Sequence, residues 1–220
     1  MDIIDFSLKH SVINTYMSEL RDNKYQKNPL LFRNNIRRIG QFIAYEISKY
    51  LNYHDINVET PLGNAKVAVP ADEIVVATVL RAGLPMHDGI LSVFDKAENA
   101  FASAYRTYED EDHTQVGIHV EYLAAPSLDG KTLILADPML ATGGSMELAY
   151  KALLSHGIPK HIHIASVIAA TEGINHIRQT FPQDKTTVWC GAIDPQLNEH
   201  KYIVPGLGDA GDLWFGEKLS

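Results

Sequence analysis

Asp137 closes an apolar run, Leu133-Ile134-Leu135-Ala136, and a loop of small residues follows, Ala141-Thr142-Gly143-Gly144-Ser145. Leu148, Ala149, Ala152 and Leu153 then mark one face of a helix. That order sets flexible backbone N–H groups at a helix N-terminus, where unpaired donors and the helix dipole both favour an anion, and phosphate is the natural guest. Shape alone does not name the ligand, since glycines permit strand-turn-helix corners in many α/β proteins. The acid at the strand end adds weight, because ligands of open α/β sheets sit beyond the carboxyl ends of their strands. Two arginines belong to the same edge. Arg81 follows the apolar run Ile74 to Leu80, and Arg106 closes a further strand, Ala100 to Tyr105. A guanidinium there holds phosphate oxygens through two donors at once. A ligand with two separated anionic groups fits this pattern, one in the loop and one near the arginines.

Other motifs carry less. Gly206-Leu207-Gly208-Asp209-Ala210-Gly211 matches the dinucleotide fingerprint letter for letter. That fingerprint, however, opens a βαβ unit and needs an acid about 20 residues further on, and only a short tail follows Gly211. The match is accidental, and a glycine-rich loop with Asp209 and Asp212 serves instead to bring backbone groups against a flat polar ligand. The loop Ala141 to Ser145 also lacks the lysine of a nucleotide triphosphatase. His161 and His163 alternate along a strand and share a face; without a third ligand, a structural role outweighs zinc. Cys190 lies in an apolar run and reads as a core thiol. The run Glu109-Asp110-Glu111-Asp112 reads as a solvated loop, with a mobile lid as the sharper alternative.

The elements that must position these groups follow from hydrophobic spacing. Apolar residues three and four apart from Leu31 to Leu51 predict a long amphipathic helix, with Arg33, Arg37, Arg38 and Lys49 on its solvated face. Val58 to Val69 predicts two short strands around a turn at Leu62-Gly63-Asn64-Ala65. Because an isolated hairpin is marginal in water, the segment 55–70 is a candidate dimerisation arm. Five apolar strands (Ile74–Leu80, Ala100–Tyr105, Leu133–Asp137, His161–Ala170 and Thr187–Ala192) alternate with helical patterns through Ile90, Leu91 and Phe94, around Ser145 to His156 and around Gly173 to Phe181. Continuous apolar strands joined by helices imply a mainly parallel sheet covered on both faces. The 220 residues suit one domain, 1–220. A net charge of -8 argues against attachment to nucleic acid or to an anionic membrane. A single cysteine, an N-terminus without signal-peptide pattern and no apolar run long enough to span a bilayer lead to the expectation of a cytoplasmic protein.

Four segments carry a family resemblance: LRAGLPMHDG (Leu80 to Gly89), AYRTYE (Ala104 to Glu109), ADPMLATGGS (Ala136 to Ser145) and LNEHKYIVPGLGDAGD (Leu197 to Asp212). In order and spacing they resemble the motifs of the uracil branch of the type I phosphoribosyltransferases, from about Leu31 to the C-terminus. The resemblance implies that family's fold, here a five-stranded mainly parallel sheet flanked by helices, with a C-terminal hood over the base (194–220) and the hairpin arm. It implies transfer of the phosphoribosyl group of 5-phospho-α-D-ribose 1-diphosphate (PRPP) to uracil, giving UMP and diphosphate, with Mg²⁺ as cofactor.

Carried onto this chain, the resemblance makes Ala141, Thr142, Gly143, Gly144 and Ser145 the 5′-phosphate loop. Asp137 would hold the ribose hydroxyls, with Pro138, Met139 and Leu140 lining the same ligand, and Arg81 and Arg106 would face the diphosphate. Ile203, Gly208, Asp209 and Ala210 would read uracil. Asp137, Arg106 and Asp209 would form the catalytic set, with Asp209 also beside the sugar diphosphate and its metal, and no metal held by the protein alone. Two departures stand out: Pro138 follows Asp137 where many type I relatives carry a second acid, and Leu213 and Glu217 replace a more polar and a smaller hydroxyl residue. A homodimer or larger assembly is expected, with GTP as a candidate effector. A phosphoribosyltransferase for another base, or a nucleotide-sensing RNA-binding regulator of the same fold, are the rival readings.

Overall fold

Along a buried strand, successive side chains alternate between two faces, so a strand that is apolar throughout must be covered twice. The computed structural model describes residues 1–108, 116–209 and 213, without the side chains of 104–120. Twelve strands and five α-helices are formed among them: β1 (Asp2–Asp5), α1 (Val12–Arg21), α2 (Pro29–Ser48), β2 (Tyr53–Thr60), β3 (Gly63–Pro70), β4 (Ile74–Val79), α3 (Leu84–Leu91), β5 (Glu98–Tyr108), β6 (Val116–Ala124), β7 (Thr132–Ala136), β8 (Met139–Leu140), α4 (Gly144–Leu153), β9 (His161–Ala170), α5 (Thr171–Thr180), β10 (Thr186–Asp194), β11 (Gln196–Leu197) and β12 (Ile203–Val204). The main sheet has the order β1-β10-β9-β7-β4-β5-β6, with β8 pairing β9 off this path. All its pairs are parallel except β5 with β6.

The five expected strands form the middle of this sheet, and the count of five is corrected to eight. The additions are β1 and β6 at the two edges and the short β8. Edge strands escape the apolar signal because only one side is paired: β1 reads DIID, with an acid at each end. Both faces of the middle strands are filled. One carries Val76, Ile134, Ala136, Ala165, Val167 and Trp189 against α1, α2 and α3; the other carries Val75, Leu133, Leu135, Ile164, Val188 and Cys190 against α4 and α5.

The long helix starts two residues earlier than its apolar spacing indicates, because Asn28 caps it. The Asn28 side chain accepts from the amides of Leu30 and Leu31, and Pro29 takes the first helical position, where no amide is needed. Its expected solvated face is partly tied down: Arg37 pairs with Asp88 of α3, Arg38 donates to Asn35 and lies over the Tyr16 ring, and Lys49 pairs with Glu46. The hairpin turn falls at Pro61-Leu62 rather than at 62–65, with Thr60 opposite Gly63. Proline presets the first turn position, and the Thr60 hydroxyl accepts from the Leu62 amide and donates to Gly63 O. Around that turn Ile56, Val58 and Val67 are exposed, and Leu62 fully so.

Helices α2 and α3 approach so closely that backbone touches backbone. A Cβ on Gly89 would stand 2.1 Å from the carbonyl oxygen of Arg37, and one on Gly40 would stand 2.7 Å from that of Met86. Overpacking such a contact typically costs about 1–3 kcal/mol or more. Gly89→Ala is therefore expected to lower the free energy of unfolding by about that amount, read by urea unfolding as a lower midpoint with an unchanged slope.

Candidate functional site

In chain order the sheet grows outward from β4 to β5, then returns to the other side of β4 with β7 and continues through β9 to β10. The reversal opens a crevice beyond the carboxyl ends of β4 and β7, which is where open α/β sheets take their ligands. Thr78 pairs with Ala136 in register, and the Thr78 hydroxyl donates to the Ala136 carbonyl across the gap at 3.1 Å. Arg81 therefore emerges just past one strand end and Asp137 just past the other. Arg81 is exposed, and the Leu80–Arg81 peptide is cis. Arg106 does not close its strand as expected: β5 runs on to Tyr108 because β6 pairs with it, and Arg106 sits within the pair, opposite Ile118. Its side chain lies outside the described residues, as does the whole acidic run Glu109 to Asp112.

The loop after Asp137 is fastened to the sheet by backbone bonds. Asp137 N–H donates to Ala165 O, while Pro138 O accepts from Val167 and Ile168. Met139 and Leu140 then pair with β9 as β8. From there the chain turns into α4 through Gly143, which adopts φ +84° and caps the helix without a side chain. The first amide bond of the helix runs from Glu147 to Gly143 O, so the amides of the preceding turn are the donors that a helix N-terminus offers to an anion. Behind the loop stands α5, where a Cβ on Gly173 would lie 2.6 Å from both Leu140 O and Ala141 O. His176 of α5 meets Glu147 at 2.8 Å, and Lys151 pairs with the same carboxylate. The loop Ala141 to Ser145 is thus held between α4 and α5.

Asp137 keeps a little solvent contact, yet desolvation pushes its carboxyl up to about 7, against one weak stabilising bond from the Met139 amide at 3.3 Å. A half-neutral acid at a crevice mouth suits hydrogen bonding to hydroxyl groups and becomes a better-solvated anion once a polar ligand arrives.

The hood begins with the ribbon β11–β12 and the cis peptide Val204–Pro205. Ile203 and Leu207 are buried in the same cluster that Ala82, Met139, Ala141 and Leu213 pack against. The loop after β4, the loop after β7 and the hood thus each place apolar residues in the core on the same face of the sheet. Gly208 has φ +81° and Asp209 follows, accepting the Leu213 amide through its backbone oxygen. Ala210, Trp214 and Glu217 lie outside the described residues, so the hood is seen here as far as Asp209, with Leu213.

Three residues that motif reading passed over hold this loop in place. Arg21 of α1 grips Asp194 at the end of β10 with two bonds of 2.8 and 2.7 Å and also donates to Gly206 O. Gln26 donates to Leu20 O and Leu207 O. Arg21 and Gln26 lie far from the hood in sequence, and Asp194, an acid closing a strand at the hood's first residue, was the one available signal. The histidines, by contrast, lie at the amino end of β9, away from the crevice. His161 bonds Thr187, and His163 accepts from the Trp189 indole at 3.1 Å, with burial lowering its pKa to about 3. Cys190 is fully buried and its thiol is pushed up by desolvation.

Among known proteins, the family model described as "Uracil phosphoribosyltransferase" matches residues 7–217. A uracil phosphoribosyltransferase of Porphyromonas gingivalis is 55% identical over 219 residues, covering 100% of both chains. One from Methanothermobacter thermautotrophicus is 38% identical over 191 residues, covering 86% of this chain and 85% of its own. The solved structure of the AQ2163 protein from Aquifex aeolicus superposes with a TM-score of 0.83 at 31% identity, covering 99% of this chain and 100% of that one.

The raised Asp137 carboxyl has a thermodynamic consequence. Its folded-state pKa lies above the ordinary 3.8, so its contribution is neutral below that value and becomes a cost as pH rises towards 7, levelling off above. Asp137→Asn removes the charge while keeping the shape. At about 1.4 kcal/mol per pKa unit, reduced for the group's solvent contact, the variant should be more stable than the parent by on the order of 2 kcal/mol at pH 8. The gain should shrink at pH 5, as read by urea unfolding of the ligand-free protein at both pH values.

Proposed function

The chain belongs to the uracil phosphoribosyltransferase family, and we propose that the crevice between β4 and β7 is where it transfers phosphoribose from PRPP to uracil. It is a pentosyltransferase of pyrimidine salvage: N1 of uracil forms the new bond to C1 of the ribose as its proton passes to the departing diphosphate or to water, the bond from C1 to diphosphate breaks, and UMP and diphosphate leave. The observation that best supports the site is that Arg81 and Asp137 stand just past two strands paired in register, with the loop Ala141 to Ser145 leading from Asp137 into a helix N-terminus capped by Gly143.

Breaking the C1–diphosphate bond leaves oxocarbenium character on the sugar and charge on the leaving group. Leaving-group stabilisation and exclusion of water therefore matter more than a strong nucleophile. In this reading the amides before Glu147, with Thr142 and Ser145, hold the 5′-phosphate, and Pro138, Met139 and Leu140 shape the wall behind it. Asp137 accepts from the ribose hydroxyls and fixes the ring. Arg81 and Arg106 face the diphosphate. Uracil alternates carbonyl and N–H groups, so a backbone edge running through Ile203, Gly208, Asp209 and Ala210 reads it more selectively than an apolar slot would.

The residues present fit Mg²⁺ as a guest carried by the diphosphate. Among the described residues no group of three or more metal-ligating side chains occurs, and Pro138 stands where a second acid would complete a carboxylate pair. In this reading Asp209 would be the acid to meet the metal, which would neutralise charge on the departing diphosphate.

We also read the protein as a homodimer or larger assembly built on the β2–β3 arm, whose exposed Leu62, Ile56, Val58 and Val67 call for a covering surface. A cytoplasmic setting is supported by the lone buried thiol. No helix among the described residues is long and apolar enough to cross a membrane. GTP as an effector rests on the family likeness alone.

With Mg²⁺ and PRPP, UMP formation from labelled uracil should far exceed product from cytosine or hypoxanthine; turnover of hypoxanthine but not uracil would overturn the assignment of the base. Asp137→Ala should lower kcat/KM by about 100-fold or more with the circular dichroism spectrum unchanged.

A further inference from the structure

Gly206 sits buried at the turn between β12, which carries Ile203, and Gly208, and both its backbone polar groups are held by one ion pair. Its N–H donates to Asp194 Oδ2 at 2.8 Å, and its carbonyl accepts from Arg21 at 3.0 Å. The same Arg21 nitrogen also donates to Asp194 Oδ2, while its other terminal nitrogen donates to Oδ1. The arrangement is a closed network of guanidinium, carboxylate and one peptide unit. The Asp194 side chain is only 7% exposed. Burial works against its ionisation, but the bonds from Arg21 and Gly206 outweigh that and hold the carboxyl below its usual range.

The geometry leaves the loop little freedom. Gly206 has φ +64°, and a Cβ there would lie 2.0 Å from Ile203 O, so the Ile203 carbonyl folds directly over the clamped glycine. Ile203 is one of the groups assigned to uracil. A shift of Gly206 must therefore shift the Ile203 carbonyl, and beyond it Gly208 and Asp209. Gln26 adds a second tether from the same N-terminal segment through Leu207 O.

We propose that the Arg21–Asp194 pair is a positioning device for the base-reading loop, fixing affinity for uracil through Gly206 without touching the substrate. This rests on the reading of 203–210 as the uracil site. A bidentate guanidinium is suited to the task because its planar fork sets an angle as well as a charge, which an ammonium cannot do. The phosphate loop is fastened separately, by α5 and β9, so the device should act on one substrate and not the other.

The test is steady-state kinetics of the full chain with both substrates varied, on Arg21→Lys, Gln26→Ala and Gly208→Ala. Arg21→Lys keeps the charge next to Asp194 and so guards against loss of folding, which circular dichroism checks. KM for uracil should rise about 10-fold or more in Arg21→Lys and by a smaller factor in Gln26→Ala, with KM for PRPP and kcat each within about twofold. A folded Arg21→Lys protein with the parent's KM for uracil would overturn the proposal, as would parallel losses in kcat and both KM values, which mark a merely structural role. Gly208→Ala separates the two levels. If it raises KM for uracil while Arg21→Lys does not, the base site stands and the clamp is idle. If it leaves KM for uracil unchanged, the base-site reading itself fails, and the clamp proposal with it.

Discussion

A carboxylic acid kept where its charge is costly is the constraint around which this molecule is arranged. Asp137 closes a strand buried on both faces, and desolvation raises its pKa to about 7. Nothing in folding favours such a group; an amide of the same shape would fit the ligand-free protein better. Its surroundings repay it only when a polar ligand enters the crevice. The rest of the sheet supplies the rigidity that this requires. β7 is paired on both sides, the Asp137 amide is committed to Ala165, and Pro138 O takes two further amides. The acid is thus held in position by its backbone while its carboxyl is left underserved.

The middle of the fold was legible because buried parallel strands announce themselves as unbroken apolar runs, and all five such runs became strands. The carboxyl-end edge was legible in part for the same reason: where a strand ends, the residue after it is placed, so Arg81 and Asp137 fall on one edge, whereas β5 runs on through Arg106 to Tyr108 because β6 pairs with it. Elements without an apolar run were hidden. β1, with its terminal acids, and β6, which pairs only with β5, owe their conformation to a partner strand and not to their own composition. The hairpin turn was misplaced by following Gly63 and Asn64, because Pro61 and the Thr60 hydroxyl decide it locally.

The hood divides differently. Its glycine-rich loop was visible as a loop able to meet a flat ligand, whereas the residues that aim it were not. Arg21 and Gln26 precede Gly206 by most of the chain, and contacts of such separation leave no periodicity to read. Arg21 looks like any basic residue ending a helix, where it would be expected to face solvent and the helix dipole. Only the fold shows that α1 lies against β10 and that its last turn reaches the hood.

Two acids that each close a strand of the same sheet receive opposite treatment, and the difference separates their roles. Asp194 ends β10 buried, but it collects an arginine fork and a backbone amide, so its charge is fully answered within the protein. Asp137 ends β7 with one long backbone bond and is pushed towards neutrality. An acid whose charge is satisfied internally has little left to offer a ligand and serves as structure; one that is desolvated and underserved at a crevice retains its capacity for a substrate. Position at a strand end is common to both, so sequence alone ranks them equally. The partners distinguish them: Asp137 keeps its carboxyl for the crevice, and Asp194 commits its own to Arg21 and the loop at Gly206.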